Sequence, residues 1–159
     1  RRISSAASDV YKRQDENNIG IFGWSYGGYM SSLCITKGAD VFKSAIAVAP
    51  VTNWRYYDNI YTERFMQKPQ DNGENYDINS PINHVEKLKG NFLLIHGTAD
   101  DNVHFQNATE MVSALVKNKQ FEFFAYPDKN HGIYGGFTRL HLYTKMTNFL
   151  METLMEDNE

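Results

Sequence analysis

Gly23-Trp24-Ser25-Tyr26-Gly27-Gly28 decides the fold of this chain. A short apolar run, Ile19-Gly20-Ile21-Phe22, precedes it, and a stretch of helical character, Tyr29 to Lys37, follows. Strand, Gly-x-Ser-x-Gly, helix is the layout of a nucleophile elbow. A serine hydroxyl is a weak nucleophile unless it is held clear of the sheet and paired with a base. The turn forces Ser25 into a strained backbone conformation, at roughly 1–3 kcal/mol. Small residues around it let neighbouring backbone approach. The helix that begins there aims N–H groups and the positive end of its dipole at the site.

Outward from the elbow, further apolar runs alternate with helical patterns. Ser44 to Ala49 reads as a second strand, stopped by Pro50. Asn91 to His96 reads as a third, ended by Gly97, and Phe121 to Tyr126 as a fourth, ended by Pro127. Helices are expected over Gly27 to Lys37, with Gly38 as C-cap, over Phe105 to Lys117, and over Phe137 to Met155. On the last, Phe137, Leu140, Tyr143, Met146, Phe149, Leu150 and Leu154 fall near one face. Val51 to Gln67 is aromatic and polar. Lys68 to Asn83, with Pro69, Asn72-Gly73 and Ser80-Pro81, reads as loop or short turns. Strands alternating with helices predict an α/β fold, a parallel sheet flanked by helices.

Composition narrows the function classes. In the 159 residues, 42% are hydrophobic, which suits a packed core. No apolar run approaches the ~18 residues of a membrane-spanning helix. A single cysteine, Cys34, excludes an internal disulfide and reads as a small buried hydrophobe. Residues 1–14 lack apolar periodicity and end in Asp9-Val10-Tyr11-Lys12-Arg13-Gln14, which resembles the translated mosaic end of a transposon-based sequencing library. They are set aside as non-native. Without their four basic residues and one acid, 12 basic and 18 acidic residues remain, a net charge of −6. An acidic remainder without a basic stripe argues against nucleic acid as a partner. The native protein is expected to extend upstream, which makes 15–159 part of a domain.

In open α/β sheets, ligands bind beyond the C-terminal ends of the strands. The loop after the third strand holds Asp100 and Asp101, and the loop after the fourth holds Asp128 and His131. Ser, then Asp, then His is the chain order of α/β-hydrolases. His131, with Gly132 leaving room around its ring, is the candidate base. His84, His96, His104 and His141 compete, and structural roles suit them better; His96 at a strand end fits a neutral, hydrogen-bonded one, and His141 an exposed one. A buried carboxylate would accept the imidazole N–H and stabilise the imidazolium. Spacing leaves both Asp100 and Asp101 open for that role, the other serving an Asx turn or a helix cap.

The blocks Gly23 to Tyr29, Ala49-Pro50-Val51 with Trp54, Tyr56-Tyr57-Asp58, Tyr61-Thr62-Glu63-Arg64, His96 to Phe105, and His131-Gly132 closely resemble the dipeptidyl peptidase IV branch of the prolyl oligopeptidase serine peptidases. The resemblance runs from about Ile19 to the last helix. It implies the C-terminal half of an α/β-hydrolase fold, with Ser25 as nucleophile and Asp100 and His131 as its partners, so that Asp100 is preferred over Asp101. It further implies the Tyr26 N–H as one oxyanion donor, and Val51, Trp54, Tyr57, Tyr61 and Val103 as a proline-accepting pocket. Asn102 would hydrogen-bond a substrate carbonyl. A proline ring is flat, apolar and without an N–H, so aromatic walls suit it.

The expected activity is release of N-terminal X-Pro or X-Ala dipeptides through an acyl-enzyme, on a peptide substrate, with no cofactor and no metal. An acylaminoacyl peptidase, an oligopeptidase or an esterase on the same fold is the alternative, and a non-catalytic binding protein is a second. The resemblance also implies export, a possible homodimer through the last helix, and an upstream propeller that supplies an amine-clamping acid pair. A second oxyanion donor would come from an early part of the domain. The first strand would then be the torn edge of a larger sheet, and the isolated 159 residues poorly stable and nearly inactive.

Overall fold

The computed structural model describes residues 15–117 and 119–155; the segment 1–14 set aside above lies outside them. Four parallel strands, β1 (Gly20–Trp24), β2 (Ser44–Val48), β3 (Asn91–Gly97) and β4 (Glu122–Tyr126), form one sheet in chain order. The register pairs Trp24 with Val48, Val48 with Ile95, and Gly97 with Tyr126, so the strands finish at one end of the sheet. The helices are α1 (Tyr26–Lys37), α2 (Asn59–Met66), α3 (Pro69–Ile78), α4 (Gln106–Leu115) and α5 (Thr138–Leu154), with short 3-10 turns at Trp54–Tyr56 and Pro81–Lys87.

The alternation of the strands sorts the core into two layers. Ile46, Val48, Leu93 and Ile95 face α5, against Leu142, Met146 and Phe149. Ala45, Ala47, Phe92 and Leu94 face the other way, against Ile35 of α1 and Ala108, Met111 and Leu115 of α4. Central β2 is buried throughout, whereas β1 is an edge among the described residues and leaves Phe22 half exposed. No helix among the described residues is long and apolar enough to cross a membrane.

Two expectations are corrected. Within Lys68–Asn83, where Asn72-Gly73 suggests a turn, residues Pro69–Ile78 instead form a helix, kinked at Asn72 (φ −138°). Pro69 suits the first helical position because it has no N–H to satisfy there. Tyr76 then anchors the helix: it is buried and donates its hydroxyl to the Gln67 carbonyl at 2.6 Å. On α5 the buried stripe is Leu142, Met146 and Phe149, not the broad face expected; Phe137, Leu140 and Tyr143 are exposed. Apolar residues surround this helix, so spacing alone could not choose the docked face.

Candidate active site

Four loops leave the C-terminal ends of the strands, and three of them carry the candidate residues Ser25, Asp100 and His131. The first is the elbow. Ser25 ends β1 and precedes α1 with φ 58° and ψ −117°, a left-handed conformation unusual for a residue with a Cβ. Its N–H donates to the Val48 carbonyl (2.8 Å) and its carbonyl accepts from Tyr29 N (2.9 Å), which fixes the turn at both sides. A Cβ on Gly23 would lie 2.0 Å from the Gly27 carbonyl oxygen, so the turn closes only with glycine there. Tyr26 opens α1, where an N–H has no acceptor within the helix.

The second loop follows β3. Asp100 has its side chain wholly buried, and each carboxylate oxygen takes two donors. Oδ1 accepts from the N–H groups of Asn102 and Val103, both at 3.0 Å. Oδ2 accepts from His131 Nδ1 at 2.7 Å and lies 3.2 Å from His96 Nε2. Burial alone would raise the Asp100 carboxyl. The hydrogen bonds from His131 and His96, the His131 charge and the Asn102 N–H more than reverse this, and hold it well below the usual carboxylate range.

The third loop follows β4 and brings His131 to Asp100. Gly97 lets the two loops meet, since a Cβ there would stand 2.2 Å from the Lys129 carbonyl oxygen. Because Nδ1 faces the carboxylate it carries the proton, which leaves Nε2 as the basic nitrogen. The Trp24 indole N–H donates to the His131 carbonyl at 3.0 Å, tying this loop to the residue beside Ser25. Among the described residues no hydrogen bond joins Ser25 Oγ to the His131 ring. Asp101 makes no such contact and lies exposed.

Beside the elbow is a cleft of about 380 Å³, lined by Tyr26, Tyr29, Trp54, Tyr61, Phe65, Met66 and Asn79. Trp54 stacks on Tyr61 at 6.1 Å and meets Tyr29 edge-on at 4.9 Å. Tyr57 closes on Tyr61 at 5.4 Å, and its hydroxyl donates to Asn102 Oδ1 at 2.7 Å, leaving the Asn102 amide N–H groups free to donate. Val51 and Val103 lie beneath, buried with Tyr29, Trp54 and Tyr76. Of the expected pocket residues, Trp54 and Tyr61 line the cleft, Tyr57 flanks it, and Val51 and Val103 form its support. A second depression of about 390 Å³, between β4 and α5, holds none of Ser25, Asp100 or His131.

Sequence reasoning missed Tyr29, Phe65, Met66 and Asn79 in the cleft, and the contact of His96 with Asp100. His96 is buried, with Nε2 facing the Val103 carbonyl (2.8 Å) as well as the carboxylate. Two acceptors on one nitrogen place the proton on Nε2. The partnerless Nδ1 is then a lone pair rather than a stranded donor.

Residues 4–157 match the family model described as the prolyl oligopeptidase family. The chain is 52% identical over 143 residues to the mouse (Mus musculus) protein named prolyl endopeptidase FAP, covering 87% of this chain and 19% of that protein. It is 46% identical over 142 residues to cat (Felis catus) dipeptidyl peptidase 4, covering 87% of this chain and 19% of that protein. The crystal structure of Porphyromonas gingivalis dipeptidyl peptidase 4 superposes with a TM-score of 0.86 at 50% identity, over 88% of this chain and 20% of that one. The chain thus spans about a fifth of the length of the relatives it matches. With family model, relatives and superposed structure in agreement over most of its residues, the chain belongs to the prolyl oligopeptidase family.

Proposed function

We propose that this chain carries the nucleophile, base and acid of a serine peptidase that releases X-Pro and X-Ala dipeptides from peptide N-termini. The supporting observation is the 2.7 Å bond from His131 to the buried Asp100, with the His131 backbone held by the residue that precedes Ser25. In this reading Ser25 Oγ attacks the scissile carbonyl while His131 Nε2 takes its proton. Asp100 stabilises the imidazolium that results. The Tyr26 N–H donates to the oxyanion. His131 returns the proton to the leaving amine, and a water activated by the same nitrogen hydrolyses the ester on Ser25. The aromatic cleft seats the proline ring, and an Asn102 N–H donates to a substrate carbonyl.

A second oxyanion donor and acids for the substrate's free amine are assigned to the rest of a longer polypeptide, in keeping with relatives of which this chain spans 19%. The 159 residues alone are then nearly inactive, because loss of one oxyanion donor removes about 10²–10³ of the rate. One relative's name, prolyl endopeptidase, favours a second reading, in which N-terminally blocked peptides are also cut after proline.

Full-length protein should be tested with Gly-Pro-anilide, its N-blocked form, an acetylated amino-acid anilide and a nitrophenyl ester. Fast turnover of the free-amine substrate alone is expected. Comparable turnover of the blocked form would favour the endopeptidase. A preference for the acetylated anilide or the ester would replace the proline reading. A wild type that a fluorophosphonate probe does not label would point to a binding protein.

A further inference from the structure

We infer that Arg139 is a positioning residue that locks the His131 loop to the elbow. The guanidinium donates from Nη2 to the Gly132 carbonyl (2.8 Å) and from Nε to the Ile133 carbonyl (3.1 Å). Trp24 holds the preceding carbonyl, that of His131. Three successive carbonyls of one loop are therefore each taken by a side-chain donor. The two donors also hold each other: the guanidinium carbon lies 5.2 Å from the centre of the Trp24 ring. A planar fork serves this arrangement as a lysine ammonium could not, since it reaches two carbonyls while stacking on an aromatic face.

Two local rules are broken in the same place, which sets it apart from an incidental surface contact. Arg139 sits in the first turn of α5, where the positive end of the helix dipole disfavours a cation, and no acidic residue shares that turn. Buried Ile133 has φ 42°, a left-handed conformation that a β-branched side chain strongly resists. Such strain persists only where surrounding contacts over-determine it. The carbonyls held by Arg139 are those of the strained residue and the one before it. Released, the segment would relax toward ordinary backbone angles, and His131, two residues upstream, would shift against Ser25. A displacement near 1 Å at a reacting group can lower the rate about 10²-fold.

The inference rests on Ser25 being the acylated residue. Its test follows a fluorophosphonate probe on full-length wild type, Arg139→Ala, Arg139→Lys and Trp24→Phe, recording both the rate of labelling and the fraction finally labelled. Expected for Arg139→Ala is full final labelling, reached roughly tenfold to a hundredfold more slowly, with kcat on Gly-Pro-anilide lowered in parallel and KM within about twofold. Added guanidinium at low concentration should restore much of the rate in Arg139→Ala and none in wild type. Arg139→Lys and Trp24→Phe, each keeping part of the clamp, should fall between, and they carry the test if the alanine variant does not fold.

Wild-type rates in a folded variant would overturn the inference. So would a reduced final fraction labelled at the wild-type rate, which marks a merely structural loss. A wild type that does not label removes the reading of Ser25 itself, and the clamp with it, whereas a labelled wild type with indifferent Arg139 variants removes the clamp alone.

Discussion

Around Asp100 every carboxylate oxygen meets donors, whereas in the neighbouring cleft rings meet rings. The polar centre is assembled from three loops far apart in sequence and is closed to solvent at the acid. The cleft is assembled largely from consecutive short helices between Trp54 and Asn79, and it is open, with Tyr61 and Phe65 exposed. The first is specified by hydrogen-bond geometry, so under the proposed function one lost donor should be felt in the chemical step. The second is specified by shape, so under the proposed function one lost ring should be felt in binding. Substitutions in the two regions should therefore separate into effects on kcat and effects on KM.

The largest expected effect is that of Ser25→Ala, which should abolish probe labelling and lower kcat about 10⁶-fold; residual labelling would place the nucleophile elsewhere. Asp100→Asn should lower kcat about 10⁴-fold with little change in KM, because the amide no longer holds His131 in the productive tautomer. His96→Phe keeps a ring but removes one donor from the carboxylate and leaves the Val103 carbonyl unpaired. Steady-state kinetics should show kcat down roughly tenfold to a hundredfold.

Tyr61→Ala belongs to the other region. KM for Gly-Pro-anilide should rise about tenfold while the probe labels at nearly the wild-type rate; a loss of labelling instead would merge the two regions.

The smallest effect is on stability. A carboxyl held low in the folded state adds stability that is fully present above the ordinary carboxylate range near pH 4 and is lost as pH falls through the lowered folded-state value. Thermal melts of wild type and Asp100→Asn should therefore converge as pH falls below about 4.

How much of this was legible in the sequence follows the same division. The four strands fall on short apolar runs that include or border a glycine or proline, and they pair in chain order. The candidate site residues follow strand ends, where open parallel sheets place ligand sites. Asp100 and Asp101 were not separable by spacing, since the difference lies in which side chain turns under the loop. The helix Pro69–Ile78 was hidden because nothing in it repeats with helical period. A single buried tyrosine holds it, and Arg55, stacked 5.4 Å from that ring, pairs with Asp77 and donates to the Gly73 carbonyl. The contacts of Trp24 with His131 and of Arg139 with Trp24 join residues more than a hundred positions apart, and no local pattern encodes them.

Each of the two regions also contains one of the chain's two tryptophans. Trp24 bonds to the backbone of the His131 loop through its indole N–H, under a guanidinium, and Trp54 forms part of the cleft wall. An indole's emission depends on the hydrogen bond at its nitrogen and on charges near its ring. Labelling these two side chains with fluorotryptophan would therefore give two separate optical or resonance reporters, one for movement of the His131 loop and one for occupancy of the aromatic cleft.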